Sequence, residues 1–418
     1  GTDVTAFQLV EAGVRELRSE LSEDPETRAE MLGVLGHVLT EMASYERAGE
    51  LLKEALELQR ESSGGSDHPD LALALERYGA VLGETGELQA SEELAREALE
   101  MRRRLFGDGH ETVAVSLDAV GVSLLAQGRP KEAEVFFRRA LAVRRELPRG
   151  ADDRRLATVL NNLGVSLSHQ ERLAEAAEAY VESLEIRRRA LHPDHPAVSE
   201  SLNNLGVVYK RLGRYELAEP LYREALEIRR RVFGDDHPRV SNSLNNLGVL
   251  YMEMARLEES IECHREALSI RRAAVGDDHA SVGLSLNNLA AALRDAGRTS
   301  EAEEMFREAL AVFRTALPPE HRALTYPALS LGRLLTARGR PDEAEPLLSE
   351  ALASRLAADE GSVATAEARL ALGICRDAQG RPEEARELLG AGLARLRDST
   401  EGDRALVAEA EAALKRLR

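Results

Sequence analysis

The chain has 418 residues, 43% of them hydrophobic, yet no Trp and only 4% aromatics; this argues against one large aromatic-rich globule and fits Leu, Ala and Val packed between helices. A formal charge of −18 argues against a nucleic-acid partner, because a duplex would be repelled before any local basic patch could act. No apolar run approaches the ~20 residues of a bilayer span, and no basic-then-apolar leader opens the chain, so a cytoplasmic location without membrane insertion is expected. Cys263 and Cys375 have no CxxC or CxxH neighbour, which points to helix residues rather than a disulfide or a zinc site.

In chain order, Thr5 to Leu39 reads as an amphipathic helix, a helix start at Asp24-Pro25 and a first helical hairpin. The following sequence repeats. An anchor recurs at Gly36, Gly79, Gly121, Gly164, Gly206, Gly248, Ala290, Gly332 and Gly373, with spacings of 41 to 43 residues, so nine units fill almost the whole chain. Within a unit, Leu202, Leu205, Val208 and Tyr209 lie at helical spacing, a turn such as "LGRY" follows, and "ELAEPLYREALEIRRR" supplies a second periodic segment. Small residues recur twelve positions after the anchor, as in Ala176, Ala218 and Ser260, and nineteen after it, as in Ser183, Ala225 and Ala267. Helices approach closely where side chains are small, so these rows predict contacts within and between hairpins, hence an all-α solenoid. At the joints, "FGDDHPRV" (Phe233 to Val240) predicts Gly at a helix exit, Asp as the next N-cap and Pro in the first turn. The domain reading is residues 1–23 as an N-terminal capping or linker helix, 24–400 as nine hairpins and 401–418 as a C-terminal capping helix.

The residues Leu205-Gly206, Tyr209, Ala218, Tyr222 and Ala225 resemble the tetratricopeptide repeat, over roughly residues 26 to 397. The 42-residue period and the "LNNLGVVY…EALEIRRRVFGDDHPRV" wording are similar to the kinesin light chain subclass. The resemblance implies a right-handed superhelical solenoid of about nine hairpins with terminal capping helices. Ala290 in place of Gly, and Cys375-Arg376 in the ninth unit, depart from the pattern. The wording from Thr5 to Leu39 also resembles the junction in bacterial serine/threonine kinases that carry such arrays, which implies a docking or sensing region of a larger signalling protein.

No GxxxxGK, GxSxG, HRD or DFG occurs, and His110-Glu111 is not a zinc-protease motif because position 114 is Ala. His68, His110, His195, His237, His279 and His321 recur once per unit and so are expected to support their own loops rather than meet on one metal. The chain is expected to have no enzymatic activity, no cofactor and no metal.

The candidate site is a row of paired amides: Asn161/Asn162, Asn203/Asn204, Asn245/Asn246 and Asn287/Asn288. Each Asn inside a helix costs about 0.5 kcal/mol relative to Ala, so four pairs in register require an offset. By the resemblance, the first helix of each unit lines a concave groove and the second Asn falls where the family bonds a bound peptide's backbone. An amide both donates and accepts, so a row of them can hold an extended chain without reading its sequence. The alternative is that the amides bond to one another and stabilise the stack. Lys210, Arg211 and Arg294 lie one turn further on and are expected to face the same groove, favouring a ligand with acidic or carboxylate groups, although Glu253 and Asp295 dilute that signal. The family's full carboxylate clamp is not reproduced. The function expected is a scaffold that binds an extended segment of a partner protein; the alternatives are a small-molecule or signal-peptide receptor and a self-assembly module.

Overall fold

The computed structural model describes residues 6–20, 24–147, 153–396 and 403–417; residues 1–5, 21–23, 401–402 and 418 of the expected capping segments lie outside the described residues. The chain divides into two compact units, residues 1–214 and 215–418. The first holds α1 (Ala6–Glu20), α2 (Pro25–Glu41), α3 (Tyr45–Ser62), α4 (Pro69–Glu84), α5 (Leu88–Phe106), α6 (Glu111–Ala126), α7 (Pro130–Glu146), α8 (Asp153–His169), α9 (Leu173–Ala190) and α10 (Pro196–Arg211). The second holds α11 (Tyr215–Phe233), α12 (Pro238–Glu253), α13 (Leu257–Val275), α14 (Ala280–Asp295), α15 (Thr299–Ala316), α16 (Thr325–Ala337), α17 (Pro341–Ala358), α18 (Val363–Ala378), α19 (Pro382–Leu396) and α20 (Arg404–Arg416). There is no strand among the described residues. Within each unit, consecutive helices pair as antiparallel hairpins that stack in chain order.

The anchor glycine is explained by the residue sixteen positions later. A Cβ at Gly121 would fall 2.5 Å from the Phe137 ring, and one at Gly164 would fall 2.7 Å from Tyr180, so the second helix lies directly against the first helix's backbone. The small-residue rows are buried as expected: Ala133, Ala176 and Ala302 are fully enclosed in the helix contacts.

Three side-chain devices shape the joints between hairpins. The first corrects the expected Asp cap. The N-cap is the histidine, whose Nδ1 accepts from the backbone N–H two residues on, at 3.1 Å for both His195 and His237 and 3.2 Å for His110, His279 and His321. His precedes the first helical residue, whereas the loop aspartates reach back to the preceding helix, as in Asp235 to Arg230 at 3.3 Å and Asp277 to Arg272 at 3.1 Å. The second is an arginine at the anchor plus 23. Arg102, Arg187, Arg229 and Arg271 donate to Ser116, Ser201, Ser243 and Ser285 on the next first helix at 2.7–2.9 Å, and each also donates to a carbonyl four residues before that serine. The third is an arginine at the turn that bridges two glutamates: Arg129 bonds Glu92 and Glu132, Arg172 bonds Glu134 and Glu175, and Arg340 bonds Glu303 and Glu343. Burial opposes the charge of Glu92, but bonds from Gln127 and Arg96 outweigh it and hold the carboxyl below its usual range. Many arginines are therefore spent internally on carboxylates.

A candidate binding face on the first helices

The paired asparagines sit on α8, α10, α12 and α14, three and two positions before the anchor. Asn161 is buried; Asn162 and the three following pairs are half-buried. In the first unit, Asn204 Nδ2 donates to Asn161 Oδ1 at 3.2 Å, and Asn162 Nδ2 donates to Asp118 Oδ1 at 3.0 Å. In the second unit, Asn288 Nδ2 donates to Asn245 Oδ1 at 2.8 Å. The rule is that the second amide of one hairpin donates to the first position of the hairpin before it. Asn203 and Asn246 each make a polar contact of their own. The row ends at Asn287, whose buried Oδ1 has no partner among the described residues; the donor register of the following hairpin holds Ser330.

The amides thus have two sides. One N–H of each donor and one lone pair of each acceptor go into hairpin-to-hairpin bonds, which is the stacking role. Asn162, Asn204 and Asn288 are half-buried, and an amide that donates one N–H has a second N–H and a carbonyl besides.

The basic residues divide. Arg211 bridges to the preceding hairpin, donating to Ser168 Oγ at 2.9 Å and Ser168 O at 3.2 Å and pairing with Glu171. Lys210 is half-buried and also engaged. Arg294 pairs with its neighbour Asp295 at 2.8 Å and lines a cavity of about 260 Å³ with Arg333, Thr336, Ile374, Leu406 and Glu409. The structure joins Asn204 to Asn161 in the first unit and Asn288 to Asn245 in the second; Arg211 bonds Ser168 and Glu171 instead of an amide, and Arg294 lies one to two turns along the same helix as Asn288.

Sequence reasoning missed Asp118 because it sought amide pairs. Counted from Gly121, Asp118 stands in the register of Asn161, and that count was the available signal. Burial pushes its carboxyl up from 3.8 to about 6, against the opposing effects of the Asn162 bond and the nearby Arg144 charge. Arg333 was missed for lack of any pattern; it pairs with Asp403 at 2.8 Å. The six loop histidines are all helix caps, and no group of three or more His, Cys, Asp or Glu among the described residues could hold a metal.

The family described as tetratricopeptide repeat matches residues 27–104, 70–146, 155–231, 201–253, 239–315 and 324–398. No curated protein matches the chain. Among solved structures, the chain is similar to the apo form of RapI, at 14% identity over 88% of this chain and 97% of that one with a TM-score of 0.65. It is similar to the apo form of the quorum sensor NprR from B. thuringiensis, at 15% identity over 90% and 100% with a TM-score of 0.63. It is also similar to BtubC (BKLC) from P. vanneervenii, at 28% identity over 54% and 91% with a TM-score of 0.48. The first two are likenesses of fold alone.

Proposed function

The chain belongs to the tetratricopeptide repeat family of non-enzymatic scaffolds, and on that premise we propose that its first helices bind an extended peptide segment of a partner protein. One stretch of contacts lies on α8 and α10 of the first unit and another on α12 and α14 of the second. The observation that carries this reading is the half-buried row of amides on successive first helices, in which each bonded donor spends only one of its two N–H groups. A peptide backbone presents the complementary N–H and C=O groups at regular intervals. Arg294 and Arg333 line one cavity with Glu409 and are each paired with an aspartate, so a preference for acidic or carboxylate groups on the bound segment requires the ligand to share or displace Asp295 and Asp403. The finer proposal, that the chain is the cytoplasmic docking region of a bacterial serine/threonine kinase, rests on the wording from Thr5 to Leu39 alone.

Selection of displayed random peptides against the whole chain tests the proposal. Replacing Asn162, Asn204, Asn246 and Asn288 together by Ala should weaken a selected peptide at least about tenfold at equal folded content, since each buried amide contact is worth about 1 kcal/mol. Unchanged affinity would leave the amides as stacking bonds only. A thermal shift with small metabolites and none with peptides would move the function to a small-molecule receptor.

A further inference from the structure

The first helices of the first unit carry an apolar row beside the amides. One residue after the anchor stand Val122 on α6, Val165 on α8 and Val207 on α10. That position follows the second amide position by three residues, so on each helix the two side chains are neighbours on one face. Val122 is 46% exposed and Val165 and Val207 are half-buried, whereas leucines of the same helices, such as Leu124, Leu163 and Leu205, are buried. Val is a poor helix former, and at these three places the stack does not enclose it. The second unit does not keep the row: the same register reads Val249, Ala291, Arg333 and Ile374.

The amide bonds set the spacing. Asn162 Nδ2 reaches Asp118 Oδ1 at 3.0 Å and Asn204 Nδ2 reaches Asn161 Oδ1 at 3.2 Å, so α6, α8 and α10 touch through side chains about one turn from the valines. Helices in such contact lie about 8–10 Å apart. A β-strand crossing them turns alternate residues the same way, and its same-side positions recur at about 7 and 13 Å, neither of which matches. A polyproline II segment has three residues and about 9 Å of rise per turn, so every third side chain meets the next first helix. Its backbone makes no internal hydrogen bond, which leaves its N–H and C=O groups for the amides alongside.

Resting on the peptide-binding reading above, we propose that the first unit selects a segment in polyproline II conformation with an apolar side chain at every third position. Three successive apolar side chains rest on Val122, Val165 and Val207, while Asn162 and Asn204 bond the backbone between them. The valines supply the selection that the amides, which meet only backbone, do not.

Three displayed libraries of twelve-residue peptides, panned together against the whole chain, test this. Two fix four positions as Leu or Val, one at every third position and the other at every second; the third library is fully random. The period-three library should be enriched at least about tenfold over the period-two library. A synthetic peptide from it, labelled with fluorescein and titrated by anisotropy, should bind at least about tenfold more weakly when Val122, Val165 and Val207 are all changed to Thr, a loss of about 1.4 kcal/mol. Thr keeps the β-branched shape at positions that are not enclosed, so the variant should fold, which circular dichroism checks. Val122→Lys, at the most exposed of the three, is a second variant and should weaken the same peptide. Equal or greater enrichment of the period-two library, enrichment of the random library alone, or a period-three peptide whose affinity neither variant alters would overturn the inference and leave peptide binding standing. Enrichment of no library would take the peptide-binding reading down with it.

Discussion

A half-buried aspartate and a buried histidine give the chain opposite pH responses, and each can be isolated by one substitution. Asp118 titrates near 6 in the fold because burial disfavours its charge, against 3.8 unfolded. Between those values the native state holds more protons than the unfolded one, so the contribution falls as pH rises from 3.8 to 6, and the cost is complete above 6. Asp118→Asn keeps the acceptor for Asn162 and removes the charge. It should raise stability at pH 7.5 by an amount on the order of 2 kcal/mol and change it little at pH 4, as read by urea unfolding. His264 is the reverse case. It sits fully buried against Gly248 in the register of Phe137 and Tyr180, with neither ring nitrogen bonded among the described residues. Burial, with a smaller effect of the Arg271 charge, lowers it from 6.5 to about 4, so the unfolded state takes up the proton first and stability falls as pH drops from 6.5 towards 4. His264→Phe should flatten that acid slope and also raise the neutral-pH midpoint, because a buried unbonded nitrogen costs about 1–3 kcal/mol. An unchanged acid slope would mean that the ring is not enclosed.

At the scale of the helices, the joints decide cooperativity. Arg271 leaves α13, passes beneath α14 and donates to Ser285 Oγ at 2.7 Å, Ser281 O at 3.3 Å and Asn242 Oδ1 at 3.0 Å. Arg271→Ala would strand those acceptors, so it should destabilise by about 2–3 kcal/mol and broaden the denaturation curve by weakening nearest-neighbour coupling. A single sharp transition at the wild-type midpoint would contradict the role given to the arginine. The hairpins themselves were legible in the sequence, because the Gly anchor and the two small-residue rows report a backbone approach that few other residues allow. The joints were less so. Asp is the commoner N-cap, but the residue before Pro196 and Pro238 is His, and only the ion pairs back to Arg230 and Arg272 show what the aspartates do instead. Lys210 and Arg211 were read as one site, yet adjacent helix positions point about 100° apart, and Arg211 turns to Ser168 and Glu171. The serine five residues before the anchor and the arginine 23 after it were visible in the letters. Their partnership was not, since it joins residues 14 apart across a loop.

For the molecule as a whole, the charge of −18 coexists with arginines that are largely committed to carboxylates, hydroxyls and carbonyls, Arg294 and Arg333 included, which leaves the amide row as the polar surface on the first helices best suited to a chain-like ligand. The fold class could be read from periodicity, whereas the double use of the amides could not: one asparagine letter does not say which of its donors is already taken. The measurement that tests the binding account most directly is hydrogen–deuterium exchange of the whole chain with and without a peptide selected by display. The account predicts slowed exchange in α8 and α10, in α12 and α14, or in both sets, lost when Asn162, Asn204, Asn246 and Asn288 are replaced by Ala. Protection confined to the second helices, or unaltered by those substitutions, would contradict it.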